Sequence, residues 1–143
     1  MQETKDSFYN CLYFSSNSLV RVINKMADEE FALSGLSPSH GFLLMVISNN
    51  PGIGPKEAGE NLNLTPSTIT RFVDLLEQKG LVKRESEGKL IRLQITGRGE
   101  EVVDLVRSAW MNLYKRMCET FGEEDCHDLA CRITKAFKQT ESV

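Results

Sequence analysis

The chain has 143 residues, a formal net charge of −3, 41% hydrophobic and 26% charged residues, which suits one globular domain and excludes a disordered or fibrous class. No apolar run has the length of a membrane-spanning helix, and Glu3 and Asp6 at the start do not fit a signal-peptide layout, so a cytoplasmic protein is expected. The four cysteines, Cys11, Cys118, Cys126 and Cys131, lack the short paired spacing of a zinc site or a secreted disulfide framework, and reduced thiols are the expectation.

From about Asp6 to Glu30 the positions Phe8, Cys11, Leu12, Ser15, Leu19, Val22, Ile23 and Met26 repeat with helical period, and the pattern predicts one long helix. Ser34-Gly35 breaks it. Ser37-Pro38 restarts helix with a capping hydroxyl followed by a proline, a residue suited to the first helical position, and Phe42, Leu43, Val46 and Ile47 point inward until Asn49-Asn50-Pro51-Gly52. Gly54-Pro55 opens a short helix, Lys56 to about Asn61, and Asn63-Leu64 turns the chain into the next. That next helix has both ends marked: Thr65 caps it, Pro66 starts it and Gly80 stops it.

Ile69, Phe72, Val73, Leu75 and Leu76 form the buried face of this helix, while Ser67, Thr68, Thr70 and Arg71 crowd its N-terminal end. Short hydroxyls, a guanidinium and free backbone N–H groups suit phosphates and base edges in a major groove. Two helices joined by a tight turn, the second with such an end, read as a helix-turn-helix over Pro55 to Gly80. Leu81-Val82-Lys83-Arg84, a turn at Glu85-Ser86-Glu87-Gly88 and Leu90 to Ile95 then predict a hairpin, the layout of a wing. Thr96 caps a helix to about Phe121 with a stripe of Val102, Val106, Ala109, Trp110, Leu113 and Met117. After Gly122, Cys126, Leu129, Ala130, Ile133 and Phe137 give a last apolar face. The segment 55–98 carries a net charge of +2 and the rest −5, a modest positive centre between acidic flanks.

Taken together, this order of elements and several residue blocks resemble the MarR family of winged helix-turn-helix transcriptional regulators over almost the whole chain. The blocks are Leu36-Ser37-Pro38, Asn50-Pro51-Gly52, Leu64 to Arg71, Leu76 to Val82, and Leu93-Gln94-Ile95-Thr96-Gly97-Arg98-Gly99. The resemblance implies a mainly α fold with a small β-hairpin wing. It implies one domain over 1–143, with a winged core at about 37–98 and dimerisation helices at about 6–31 and 97–140. It also implies a homodimer on a pseudo-palindromic DNA operator, with major-groove contacts from Ser67, Thr68, Thr70 and Arg71; Thr65 beside them and the wing cations Arg84 and Lys89 are further expected DNA contacts. In one place the chain departs from the family: the wing tip reads Glu87-Gly88-Lys89, with Gly88 where the principal wing arginine is usual. Lysine's point charge suits a narrow minor groove less well than arginine's planar fork, so a weaker wing is expected.

Cys11 lies where the peroxide-sensing subgroup of the family places its cysteine, but no cation stands beside it in sequence, and a small residue at a dimer contact is the plainer reading. Cys118, Cys126, His127 and Cys131 do not share a helical face, and Cys118 lies across the Gly122 break, so no metal site and no cofactor are expected. No nucleophile–base pair or phosphate loop suggests an enzyme. The expected function is a dimeric repressor relieved by a small-molecule or oxidant effector. The alternative is a protein-interaction module of the same fold with weakened or lost DNA binding.

Overall fold

Asn10 and Cys11 split what the N-terminal periodicity predicts as one helix. In the computed structural model, which describes residues 4–141, α1 spans Lys5–Tyr9 and α2 spans Leu12–Phe31, with Cys11 extended between them (φ −90°, ψ 121°). The break lets Phe8 and Tyr9 fold onto Phe14, with ring centroids 5.6 and 5.4 Å apart. Aromatic pairing across five and six residues accompanies the loss of a few helical hydrogen bonds here.

A short 3-10 turn, Ala32–Ser34, leads to α3 (Pro38–Asn49), α4 (Pro55–Leu62) and α5 (Pro66–Gln78). The predicted caps form: Ser37 Oγ accepts from the His40 N–H, and Thr65 Oγ1 accepts from the Thr68 N–H at 3.4 Å. Asn63, with φ 55°, makes the turn between α4 and α5 in the left-handed region that asparagine tolerates. Strands β1 (Val82–Glu87) and β2 (Leu90–Ile95) pair antiparallel from Val82↔Ile95 to Glu87↔Leu90. The strand therefore runs through Glu85-Ser86-Glu87, where the sequence predicts a turn, and Gly88 and Lys89 alone make the reversal. Ile53 adds a bridge to Leu93, with the Leu93 N–H donating to the Ile53 carbonyl at 2.9 Å. The long α6 (Gly97–Phe121) and α7 (Glu123–Thr140) complete the chain.

The core lies where α3, α5, β2 and α6 converge. Phe31, Leu43, Leu44, Ile47, Ile69, Val73, Leu76, Leu93, Val103 and Val106 are fully buried. Two residues of the predicted core stripe differ in placement: Trp110 is half-exposed, edge-on to Phe42 at 6.1 Å, and Val102 is only half-buried while Val103 takes the inward position beside Val106. Two polar ties join α3 to α6: Ser48 Oγ donates to Glu100 at 3.1 Å, and Arg107 to Asn49 Oδ1 at 2.7 Å. Arg116 of α6 pairs with Glu29 at 2.8 Å and Glu30 at 3.4 Å on α2.

α7 is different. It buries no residue, and Leu129, Ile133 and Phe137 stand exposed along one side. Leu12, Tyr13, Val20 and Val22 of α2 and Leu105, Met111 and Tyr114 of α6 are exposed as well. An 18-residue amphipathic helix with an uncovered apolar face gains little stability alone, since most helical stability comes from packing that face. No single helix among the described residues is long and apolar enough to cross a membrane.

Candidate nucleic-acid interface

Burial in α5 follows its residue spacing: Ile69, Val73 and Leu76 face the core, and Thr65, Pro66, Ser67, Thr70 and Arg71 are exposed. The N-terminal end of the helix, with its unpaired backbone donors, therefore faces outward together with a guanidinium and several hydroxyls.

Within that group the side chains have distinct states. Thr65 Oγ1 lies 3.3 Å from Ser67 Oγ and donates to Thr68 Oγ1 at 3.0 Å, so Thr68, which is half-buried, belongs to the cap. Thr70 Oγ1 donates back to the Pro66 carbonyl at 3.0 Å, which leaves its oxygen able to accept. Arg71 makes no ion pair or side-chain hydrogen bond among the described residues. It is the uncommitted cation of the exposed end.

Arg84, expected from the sequence as a DNA contact, makes several contacts within the protein. Its guanidinium turns onto α5, reaching Asp74 at 2.6 Å, Glu77 at 2.9 Å and the Thr70 carbonyl at 3.3 Å. The Arg84 backbone N–H also donates to Glu77 Oε2 at 3.1 Å. The five donors of an arginine fork serve several acceptors in a fixed plane. Arg84 thus ties the wing to α5.

On the wing itself, Lys89 is exposed at the tip beside Gly88, and Leu90 and Ile91 are also uncovered. Arg92 pairs with Glu87 and reaches the Gly52 carbonyl at 3.4 Å, which ties the wing to the end of α3. Residues 54–56, 66, 69–70 and 89–91 line a groove between the wing and the helix-turn-helix, with Lys56 and Lys89 at its edges. Lys56 was not singled out by the sequence reading; its place at the start of α4, across from the wing, is visible only in three dimensions.

The His40 ring packs at a tilt of 41° against Phe72 of α5, with centroids 4.2 Å apart, and lies close to Ser37 Oγ. Burial, and then the charge of Lys79, push the His40 pKa down. Because the folded state holds the neutral ring, the stabilisation is present above the ordinary histidine range and is lost as the pH falls below it. Cys11 is exposed at the N-cap of α2.

A helix-turn-helix with an outward N-terminal end, followed by a hairpin packed at its base, invites comparison with known proteins. Residues 36–87 match the family model described as MarR family. Over that segment the chain resembles the MarR family. The HTH-type transcriptional repressor MdtR of Bacillus subtilis (strain 168) is 24% identical over 143 residues, covering 98% of this chain and 92% of MdtR. The transcriptional repressor CouR bound to a 23-mer DNA duplex superposes with a TM-score of 0.85 at 16% identity, over 95% of this chain and 99% of that one. CouR bound to p-coumaroyl-CoA gives 0.83 at 17% identity, over 94% and 97%. At those identities the likeness is one of fold, and it extends from the MarR-family segment across the flanking helices.

Proposed function

We propose that this protein is a sequence-specific regulator that binds double-stranded DNA as a homodimer, represses by occupying a pseudo-palindromic operator, and is released by a small-molecule or oxidant effector. The observation that carries the reading is the exposed N-terminal end of α5 with Arg71 unpaired beside Ser67 and Thr70. The naming of MdtR as a repressor, and of CouR as a repressor seen with DNA and with an acyl-CoA, support it. Such a protein works where the chromosome is, in the cytoplasm.

Pairing has its own physical support. The uncovered apolar faces belong to α2, α6 and α7, which flank the helix-turn-helix in sequence on both sides. A twofold partner covering them sets two α5 helices about one DNA turn apart, roughly 34–36 Å. An effector releases the DNA only if it binds a different spacing of the two lobes more tightly.

In this reading Ser67, Thr70 and Arg71 meet bases and phosphates, Thr65 and Thr68 hold the helix end in shape, and Arg84 positions the wing. Arg71→Ala is expected to weaken operator binding by about 1–3 kcal/mol, and Lys89→Ala by less, because a single phosphate contact at a wing without its arginine contributes less. A fluorescence titration of both variants at one salt concentration gives the ranking. Lys89→Ala proving the more damaging would overturn the assignment of roles.

Arg84 has a separate test. If it contacted DNA alone, neutralising its partners with Asp74→Asn and Glu77→Gln would free the guanidinium, remove two negative charges, and tighten binding. As a clamp, its loss of partners is expected to weaken binding and to cost about 1 kcal/mol of stability. Tighter binding by the double variant contradicts the clamp.

A further inference from the structure

We propose that the cavity between the C-terminal end of α5, the start of α6 and the link from α2 to α3 is a binding site for a small phosphate monoester. Residues 34–36, 78, 79, 81, 98 and 102 line it, and its volume is about 380 Å³, at the lower end of the range for small-molecule sites. It brings two cations from separate elements to one place. Lys79 is the C-cap of α5, and Arg98 stands in the first turn of α6.

Both cations are uncommitted. Arg84, Arg92 and Arg116 each close on a carboxylate, whereas among the described residues Lys79 and Arg98 have no ion pair and no side-chain hydrogen bond. Among the described residues, no carboxylate lines the cavity either. Two like charges held on one cavity repel each other and favour an anion between them. The first turn of α6 adds donors: Thr96 takes the Gly99 and Glu100 N–H groups, each at 3.0 Å, which leaves those of Gly97 and Arg98 without an acceptor among the described residues.

The donors select the anion. A single carboxylate offers one charge and two oxygens, and an arginine fork alone satisfies it. A phosphate monoester carries about −1.5 to −2 charges near neutral pH and three terminal oxygens, enough for the guanidinium, the ammonium and a backbone donor together. Leu36, Leu81 and Val102 line the same cavity and suit the organic group on the ester oxygen. Thr65 and Lys79 bracket the 13 residues of α5, so the cavity lies roughly 20 Å along the helix from the end assigned to DNA, at ~1.5 Å per residue. An occupant joins α5 to α6 without covering that end. As the place of an effector the site rests on the operator-binding reading; as a binding site it does not.

The test uses the full chain without DNA, so a failure here and a failure of operator binding are separate results. Phenyl phosphate is titrated at constant ionic strength into the isotope-labelled protein and followed by amide NMR, with inorganic phosphate and succinate in parallel. Saturable shifts of the amide signals over 34–36, 78–81 and 97–102 are expected, with phenyl phosphate binding more tightly than inorganic phosphate and succinate more weakly than either. Lys79→Ala and Arg98→Ala are each expected to lower the affinity about tenfold, the size of one lost charge-assisted hydrogen bond, while Lys135→Ala on α7 keeps it. Both substituted side chains are exposed, so the variants are expected to keep the fold, which their own amide spectra check. No saturable shift in the millimolar range, shifts centred elsewhere, an affinity indifferent to both substitutions, or succinate or inorganic phosphate binding as tightly as phenyl phosphate would each overturn the proposal.

Discussion

Phe31→Ala is expected to lower the free energy of unfolding by about 3–5 kcal/mol, the range for removing a buried aromatic ring. Phe31 ends α2 and is completely shielded from solvent. Its ring stands edge-on to Phe42, with centroids 5.6 Å apart, and lies so near Gly41 that a Cβ there would sit 2.9 Å from its Cε1. The same Cβ would sit 3.2 Å from Val106 Cγ1. The ring thus fills the point where α2, α3 and α6 meet, and three rigid helices cannot close together over the void left by its loss. Because α2 and α6 carry exposed apolar faces and α3 supports the recognition helix, loosening this junction also loosens the link between the two parts. Urea unfolding should show a lower midpoint at an unchanged slope. A loss below about 1 kcal/mol would mean that the site collapses and that the junction is softer than the packing indicates.

The second large effect is at Gly99, where two opposing terms can be weighed. Glycine within a helix is ordinarily less favourable than alanine by about 0.5–1 kcal/mol, so an added methyl should help. At this position a Cβ would lie 2.2 Å from the Leu81 carbonyl oxygen and 2.6 Å from Ile95 Cγ1. Leu81 is held on both sides: its N–H donates to the Leu76 carbonyl at 2.9 Å, and its carbonyl accepts from the Thr96 N–H at 3.0 Å. Moving it disturbs the end of α5, the base of the wing and the start of α6 together. Gly99→Ala is therefore expected to destabilise by about 2–3 kcal/mol, toward the upper end of the overpacking range. Gly97→Ala, where a Cβ meets nothing within 4 Å, should cost nothing measurable. Equal behaviour of the two variants in thermal unfolding would show that α6 does not press on the wing.

Much of this arrangement can be read from short-range rules because each rule concerns neighbours in sequence. Ser37-Pro38, Thr65-Pro66 and Thr96 start the helices that their hydroxyls cap, and the three or four residue spacing of Ile69, Val73 and Leu76 gives the buried side of α5. What escapes such rules depends on contacts formed elsewhere. The break at Cys11 follows from Phe8 and Tyr9 packing on Phe14. The run Phe42 to Ile47 is apolar all round, so periodicity alone does not reveal that Leu44 is fully buried while Phe42 is only partly so. Arg84 looks like a wing cation until Asp74 and Glu77, on a different element, are seen beside it.

The central claim, that a twofold molecule lays two α5 tips into successive major grooves, is tested most directly by affinity for the duplex protected upstream of the protein's own gene, measured over a range of salt and with the spacer between half-sites lengthened by half a helical turn. Steep loss of affinity with rising salt, as phosphate contacts release counterions, and near-complete loss on the half-turn insertion are the predicted results. Absence of duplex binding at low salt, or binding indifferent to both salt and spacer, would contradict the account and leave a protein-interaction module of the same fold.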